Sequence, residues 1–410
     1  MSKVTVLGGC GAVGSIAARM LASTDLFTEV AIADIDTEKI KETIQRLKAS
    51  NLSPVEFDAD SPESIKKAIA GSSVVLNCVG PFYKYGPIIL KAVIKSKINY
   101  VDVCDDFDAT EILLAMDEDA KKAEISALIG MGSSPGIANI LVRLCADLLF
   151  DQVESIDIYH AHGGEKVEGP AVVKHRIHSM SIDIPMFLDG KFTTVKIFEE
   201  SGRALEEETE FRDVGTYNVY AYPHPETITL PKYLKGVKRV TNLGLVLPPA
   251  YAELIKEIVR LGITGEEPIQ VQGHEIVPLE FAVAYILSHR DRLTKEAGLT
   301  GPMGCLKIVV KGSKNGEKGT YIFSMSSRSE GMGEGTGIPA ALGIILMATG
   351  KIKEKGVNPP EGCVNPMDVL KLARSSVRTT SGSQGFPIAI EHIDASGKLE
   401  EIDPWKALGG

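Results

Sequence analysis

The chain has 410 residues, 44% of them hydrophobic and 24% charged, with a formal net charge of −10. That length and apolar content predict large cores and two domains rather than one, and the acidic balance excludes a nucleic-acid or anionic-membrane partner, which would call for a basic face. The N-terminal residues run straight into a strand pattern, no uncharged apolar run is long enough to span a bilayer, and the six cysteines lie far apart with no Cys-x-x-Cys or Cys/His ligand spacing. A soluble, cytoplasmic protein with reduced thiols and no metal is expected.

In chain order, Val4, Val6 and Leu7 form a short apolar strand that meets Gly9, Gly11 and Gly14 in a G-x-G-x-x-G turn. Ala12, Val13, Ile16, Ala17, Met20 and Leu21 then continue at helical spacing. Each glycine has its own reason in a dinucleotide-binding turn: Gly9 for the bend, Gly11 for backbone approach to a pyrophosphate, Gly14 for close helix–strand packing. Phosphates would rest on the helix N-terminus, where free N–H groups and the positive dipole end attract anions.

A lone glycine turn is a weak signal, shared with other βαβ units and with methyltransferases, so its second half matters. The strand Val30–Ala33 ends at Asp34, twenty residues beyond Gly14. A carboxylate there accepts hydrogen bonds from the adenine-ribose hydroxyls and repels a 2′-phosphate. Ile35 offers no cation for such a phosphate. NAD is therefore expected over NADP, with Lys39 and Lys41 as the residues able to reverse that choice.

The strand–helix alternation of a parallel sheet continues through a helix over Thr37–Ser50, strands at Val55–Phe57 and Val74–Val79, and a helix from Pro87 to Lys95. A strand at Tyr100–Val103, a helix from Ala109 to Lys122, a strand at Ala127–Ile129 and a helix from Ile137 to Leu149 complete it. Ligands of such sheets sit beyond the carboxyl ends of the strands. Asn77, Val79, Gly80 and Pro81 are thus expected beside the cofactor, and Tyr83, Asp105, Asp106 and Ser134 near the reacting groups.

After Val153 the pattern changes to period two, in Ile156–His160, Thr216–Tyr222, Val237–Val246, Cys305–Lys311 and Thr320–Met325, with a hairpin turn over Ser313–Glu317. Helices are expected at Pro249–Arg260 and Leu279–Ser288. This predicts an α/β protein in three parts: a Rossmann dinucleotide-binding domain at 1–150, a central α+β domain with an antiparallel or mixed sheet at 151–335, and a C-terminal segment at 336–410. Gly331 to Gly337 reads as a loose return ahead of an apolar helix from Pro339 to about Thr349.

Hydride transfer at an amine needs a group that moves a proton and a group that holds the substrate carboxylate. Asp105 and Tyr83 follow strand ends, His175 and Arg176 lie in a helix expected after Gly169-Pro170, and His224 sits in a proline-fixed loop. Asp105, His175 and Tyr83 are the catalytic candidates, and Arg176, His224, Ser134 and Asn139 the substrate-binding ones. The competing roles are helix capping for the aspartates, packing for Tyr83 and an ordinary core or surface position for each histidine.

Val79-Gly80-Pro81-Phe82-Tyr83 with Tyr85-Gly86, then Tyr100-Val101-Asp102, Ser134-Pro135-Gly136, Thr336-Gly337-Ile338-Pro339-Ala340-Ala341 and Val357-Asn358-Pro359-Pro360-Glu361 together resemble the saccharopine dehydrogenase family, including its lysine 6-dehydrogenase-like members. The resemblance implies a nicotinamide-dependent oxidoreductase acting at carbon–nitrogen bonds of amino acids or related amines, a homodimer through the central domain, and a C-terminal helix packed on the Rossmann domain. Saccharopine-forming reductases carry an acidic residue before the last Pro-Gly and a histidine after it. Ser134 and Asn139 stand here instead, a form more similar to the lysine 6-dehydrogenase branch. The alternatives are an NAD-binding sensor or partner-binding protein without catalysis, and a reductase on a carbonyl or unsaturated substrate.

Overall fold

A computed structural model describes residues 2–165, 168–328, 332–377 and 385–403. In chain order the elements begin β1 (Lys3–Leu7), α1 (Ala12–Ala22), β2 (Glu29–Asp34), α2 (Thr37–Leu47), β3 (Leu52–Glu56), α3 (Pro62–Ile69), β4 (Val74–Asn77), α4 (Phe82–Lys95), β5 (Asn99–Asp102), α5 (Phe107–Leu114), α6 (Asp117–Lys122), β6 (Ser126–Leu128) and α7 (Ile137–Leu144). Next come β7 (Gln152–Gly163), α8 (Pro170–Ser181), β8 (Ile184–Leu188), β9 (Lys191–Val195), α9 (Glu200–Arg203), β10 (Glu207–Phe211), β11 (Gly215–Ala221), α10 (Glu226–Tyr233), β12 (Arg239–Leu247), α11 (Pro249–Arg260), β13 (Ile269–Val271), β14 (His274–Ile276) and α12 (Pro278–Glu296). The last are β15 (Met303–Lys314), β16 (Glu317–Ser327), α13 (Met332–Ala348), β17 (Gly356–Asn358), α14 (Pro360–Cys363), α15 (Pro366–Ser376), β18 (Ile388–Ile393) and β19 (Leu399–Ile402).

Two units result. The first comprises Met1–Asp151, His224–Lys235 and Met332–Pro387; the second comprises Gln152–Pro223, Gly236–Gly331 and Ile388–Gly410. The first unit holds a seven-stranded sheet in the order β3-β2-β1-β4-β5-β6-β17, parallel throughout. The first six strands follow the Rossmann order, which reverses direction between β1 and β4 and opens a crevice at the carboxyl ends of those strands. Val4, Val6, Val30, Ile32, Val75 and Leu76 are fully buried, as strands covered on both faces require.

Several helix limits differ from the sequence reading, each for a local reason. The helix expected from Pro87 begins at Phe82 and carries Pro87 in its second turn, where proline cannot donate to the carbonyl four residues earlier. The span 109–122 is two helices, α5 and α6, separated at Ala115 and Met116. The expected loose return is also corrected, because α13 starts at Met332 and two of its glycines, Gly333 and Gly337, pack against α1. A Cβ on Gly333 would meet the Ala12 carbonyl oxygen at 2.8 Å, and one on Gly337 the Val13 carbonyl oxygen at 2.6 Å. These glycines let two helix backbones approach closely; Gly331 lies outside the described residues.

The second unit is built on a ten-stranded mixed sheet, β10-β11-β12-β7-β15-β16-β18-β19, with the β8–β9 hairpin on β12. Only β12 and β7 pair in parallel; the other ladders are antiparallel. Val173 and Ile177 of α8, Ile255 of α11 and Ile286 of α12 share a core with Leu243, Leu245 and Val219 of the sheet. The segment 336–410, expected to pack back on the Rossmann domain, is divided: α13, β17, α14 and α15 belong to the first unit, whereas β18 and β19 extend the second sheet beyond β16. Among the described residues no helix is long and apolar enough to cross a membrane.

Candidate active site

The turn after β1 is closed by two hydrogen bonds to one acceptor. The Gly8 and Gly9 N–H groups both donate to the Ala33 carbonyl oxygen, at 2.9 and 3.1 Å. Gly8, which the sequence reading left out, makes the bend: its φ is +71° and a Cβ there would lie 2.9 Å from the Cys78 carbonyl oxygen. Gly9 lies against β2, with Ile32 Cγ2 at 2.8 Å from its would-be Cβ, and a Cβ on Gly14 would overlap the Gly8 carbonyl oxygen. Gly11 differs, since only the Gly8 oxygen at 3.3 Å would touch a Cβ there. It caps α1, whose first turn, with Ala12 and Val13, holds no acidic residue. An exposed glycine beside free helix N–H groups fits a pyrophosphate.

Asp34 ends β2 beside this turn. Its Oδ2 accepts from the Cys10 N–H at 3.1 Å and its Oδ1 from the Ile35 N–H at 2.9 Å. Burial pushes the Cys10 thiol up to about 11, with the Asp34 carboxylate contributing, so the thiol in the turn stays neutral. Lys39 lies 3.4 Å from Asp36, and Lys41 lies 2.7 Å from Glu38. The residues present fit a dinucleotide.

Beyond β4, Asn77 is a buried brace: its Oδ1 accepts from the Val79 N–H at 3.0 Å and its Nδ2 donates to the Tyr100 hydroxyl at 2.9 Å. The strand-end loop through Val79, Gly80 and Pro81 is thereby fixed to β5. Asp102, missed by the sequence reading, does the same one strand along. Its Oδ1 accepts from the Gly130 N–H at 2.7 Å and the Cys104 N–H at 3.0 Å. Burial outweighs those donors and pushes its carboxyl up to about 6. Asp106 accepts from the Tyr83 N–H at 3.0 Å, so it caps α4. Asp105 is half-buried in the loop after β5.

Beyond β6 the arrangement can move protons. The segment His224–Lys235 crosses in sequence from the second unit's elements but folds into the first. Ser134 Oγ donates to Glu226 Oε1. Glu226 Oε2 lies 3.4 Å from His224 Nδ1, an ion-pair distance once the imidazole is protonated. Glu226 is fully buried at the start of α10, where the positive helix end favours a carboxylate. Asn139 closes a second link: its Oδ1 accepts from the Gly136 N–H at 2.9 Å, and its Nδ2 donates to Glu361 Oε2 at 2.8 Å. Burial pushes the Glu361 carboxyl up to about 7, and Glu226 adds to that rise.

Of the residues picked from sequence, Tyr83, Asp105, Ser134, Asn139 and His224 lie in the first unit with the dinucleotide turn, whereas His175 and Arg176 lie on α8 of the second. His175 Nε2 is 3.5 Å from Ser179 Oγ, one turn along the helix. Arg176 is buried and bound to Glu168, with the Tyr251 hydroxyl at 3.4 Å; Arg290 Nε donates to the same glutamate at 3.1 Å. Glu226 and Glu361 carried one legible signal each: both are glutamates in the first turn after a proline, where an acid is favoured.

A parallel sheet in Rossmann order, a glycine turn after its first strand and an acidic residue ending the second strand define the first unit as a fold of the dinucleotide-binding type. Residues 4–128 match the family model described as the saccharopine dehydrogenase NADP binding domain. It is 23% identical over 376 residues to the carboxyaminopropylagmatine dehydrogenase of Synechocystis sp., covering 87% of this chain and 92% of that protein. It is also 23% identical over 383 residues to the carboxynorspermidine synthase of Vibrio cholerae, covering 85% and 89%. Among solved structures it is similar to the apo saccharopine dehydrogenase (L-Glu forming) from Saccharomyces cerevisiae, with a TM-score of 0.65 at 16% identity over 95% of this chain and all of that one.

Proposed function

We propose that this protein is an oxidoreductase at the carbon–nitrogen bond of an amino acid, an opine-type adduct or a related amine, using NAD in preference to NADP. The observation that carries the reading is the Ser134–Glu226–His224 array, held in the same unit as the dinucleotide turn. A bound nicotinamide supplies or accepts the hydride. His224 delivers a proton to, or takes one from, the reacting nitrogen, and Glu226 stabilises the imidazolium that donates in the first case and forms in the second. Ser134 fixes the carboxylate so that Glu226 keeps one orientation toward the ring. The relatives named for carboxyaminopropylagmatine and carboxynorspermidine support an adduct with an amine portion and a carboxyl portion.

The NAD preference rests on charge. Asp34 ends β2, where its carboxylate would repel a 2′-phosphate, and the two nearby lysines are each paired with an acid. Losing a charge-assisted hydrogen bond costs ~1.5–3 kcal/mol, so NADH should bind about 10- to 100-fold tighter than NADPH. Calorimetry that finds them equal would overturn the preference, and Asp34→Ser with Ile35→Arg should narrow it. We also propose a homodimer through residues 153–330, because a broad sheet with alternating faces needs cover; light scattering that gives the mass of one chain would sink it.

The activity itself is tested by following NADH loss with pairs of di- or polyamines and short carboxylated aldehydes. Glu226→Gln should lower kcat by about 10- to 100-fold, less than the ~10²–10⁴ a general acid–base contributes, with KM little changed and partial recovery in Glu226→Asp. Unchanged kcat in the glutamine variant would remove the array from the mechanism.

A further inference from the structure

The second unit contains a buried polar patch that the first unit's chemistry does not use. Strands β7, β11 and β12 run side by side, with Gly244 opposite His160 on one side and Tyr220 on the other. Alternation along the strands puts Asn242 on the same face as Gly244, and Tyr222, whose N–H donates to the Asn242 carbonyl oxygen at 3.0 Å, lies across from it. The His160 ring fills the space a side chain at Gly244 would need: a Cβ there would sit 2.3 Å from the imidazole Cε1. Tyr222 meets that imidazole edge-on at 4.6 Å, and His162 stacks beside it at 5.8 Å.

Asn242 is fully buried, and neither its amide nitrogen nor its amide oxygen has a hydrogen-bond partner among the described residues. Burying a primary amide with both ends unmade is costly, and folds seldom keep one without a use for it. Neighbouring β12 positions on this face, Val240 and Val246, are apolar, so the amide is not part of a general polar surface. A carboxamide offers one donor and one acceptor in a plane, the complement of an ammonium and a carboxylate on one carbon.

We infer that Asn242, with His160 and Tyr222 around it, forms a subsite for the α-amino-carboxylate head of an amino-acid substrate, the amide oxygen accepting from the ammonium and the amide nitrogen donating to the carboxylate. This rests on the reading of an amino-acid-type substrate and deepens it, because it names the chemical group that this face of the sheet recognises.

The test is calorimetric titration of the full chain, with and without NADH, using L-2-aminobutyrate, butyrate and n-propylamine up to tens of millimolar. The unmodified protein should bind L-2-aminobutyrate and bind each half-analogue at least about tenfold more weakly. Asn242→Leu should lose at least about tenfold in affinity for L-2-aminobutyrate while melting at the same or a higher temperature, since the substitution removes an unsatisfied buried amide. Asn242→Asp, which replaces the amide donor with a second acceptor oxygen, should prefer n-propylamine to butyrate. No binding of L-2-aminobutyrate, equal binding of all three, unchanged affinity in Asn242→Leu, or a lower melting temperature in that variant would each overturn the subsite. Titration needs no turnover, so its failure is separate from failure of the NADH assay.

Discussion

At the scale of single residues, Glu361 is the group whose protonation the fold changes most usefully. Burial raises its carboxyl from the ordinary 4.5 to about 7, so the folded protein binds a proton that the unfolded chain has released over that interval. Stability must therefore fall as pH rises from about 4.5 to about 7, because the unfolded state binds fewer protons there. Asp102, raised from 3.8 to about 6, adds the same sign over a lower window. In Glu361→Gln the Asn139 amide keeps an acceptor and the ionisable group is gone. Melting temperatures across pH 5 to 7.5 should fall more steeply for the unmodified protein than for the variant; parallel curves would mean that Glu361 stays ionised in the fold.

Among the elements, α13 shows how much of the structure could be read from the chain and where reading stopped. Strands β1, β2 and β4 were legible because they are short, largely buried runs rich in valine and isoleucine, and the β15–β16 hairpin because Lys314-Asn315-Gly316 marks its turn. The glycines of α13 misled because low helix propensity reads as a loop, while their actual use is backbone approach to α1, a tertiary fact with no local signature. The same limit hid α10: Pro231 stands inside it, and only its burial against the first unit explains why Glu226 and His224 belong with Ser134. The glycine turn was readable because backbone geometry dictates it, whereas the approach of His224 and Glu226 to Ser134 depends on a long-range crossing. Two substitutions separate packing from propensity in α13. Gly337→Val forces a branched Cβ to within 2.6 Å of the Val13 carbonyl oxygen, and should destabilise the protein by more than the ~1 kcal/mol typical of point changes while weakening NADH binding through movement of α1. Gly335→Ala, exposed and with nothing within 4 Å of the new Cβ, should stabilise by ~0.5–1 kcal/mol. If thermal unfolding ranks the two alike, the glycines are not a packing face.

For the whole molecule, the decisive feature is that the dinucleotide-binding unit is assembled from three separated stretches of chain. Residues 2–151 supply six of its seven strands, yet β6 is flanked by β17, whose Gly356–Asn358 pairs with Ser126–Leu128 from far along the sequence. The outer face of α1 is covered by α13, and Asp117 accepts from the Val357 N–H at 2.9 Å across 240 residues of sequence. A fragment ending at Asp151 would leave Ala12, Val13 and Ile16 of α1 without the cover of Gly333 and Gly337 and would expose β6 as an open edge, a template for pairing with other chains. It would also lack Glu226, His224 and Glu361, leaving Ser134 and Asn139 without their carboxylate partners. Expressed alone, residues 1–151 should therefore aggregate or melt without a cooperative transition, and should bind NADH far more weakly than the full chain. A fragment that stays monomeric, unfolds cooperatively and matches the full chain's affinity for NADH would show that the later segments decorate a Rossmann domain already complete, and that the division into two interleaved units misdescribes how this chain folds.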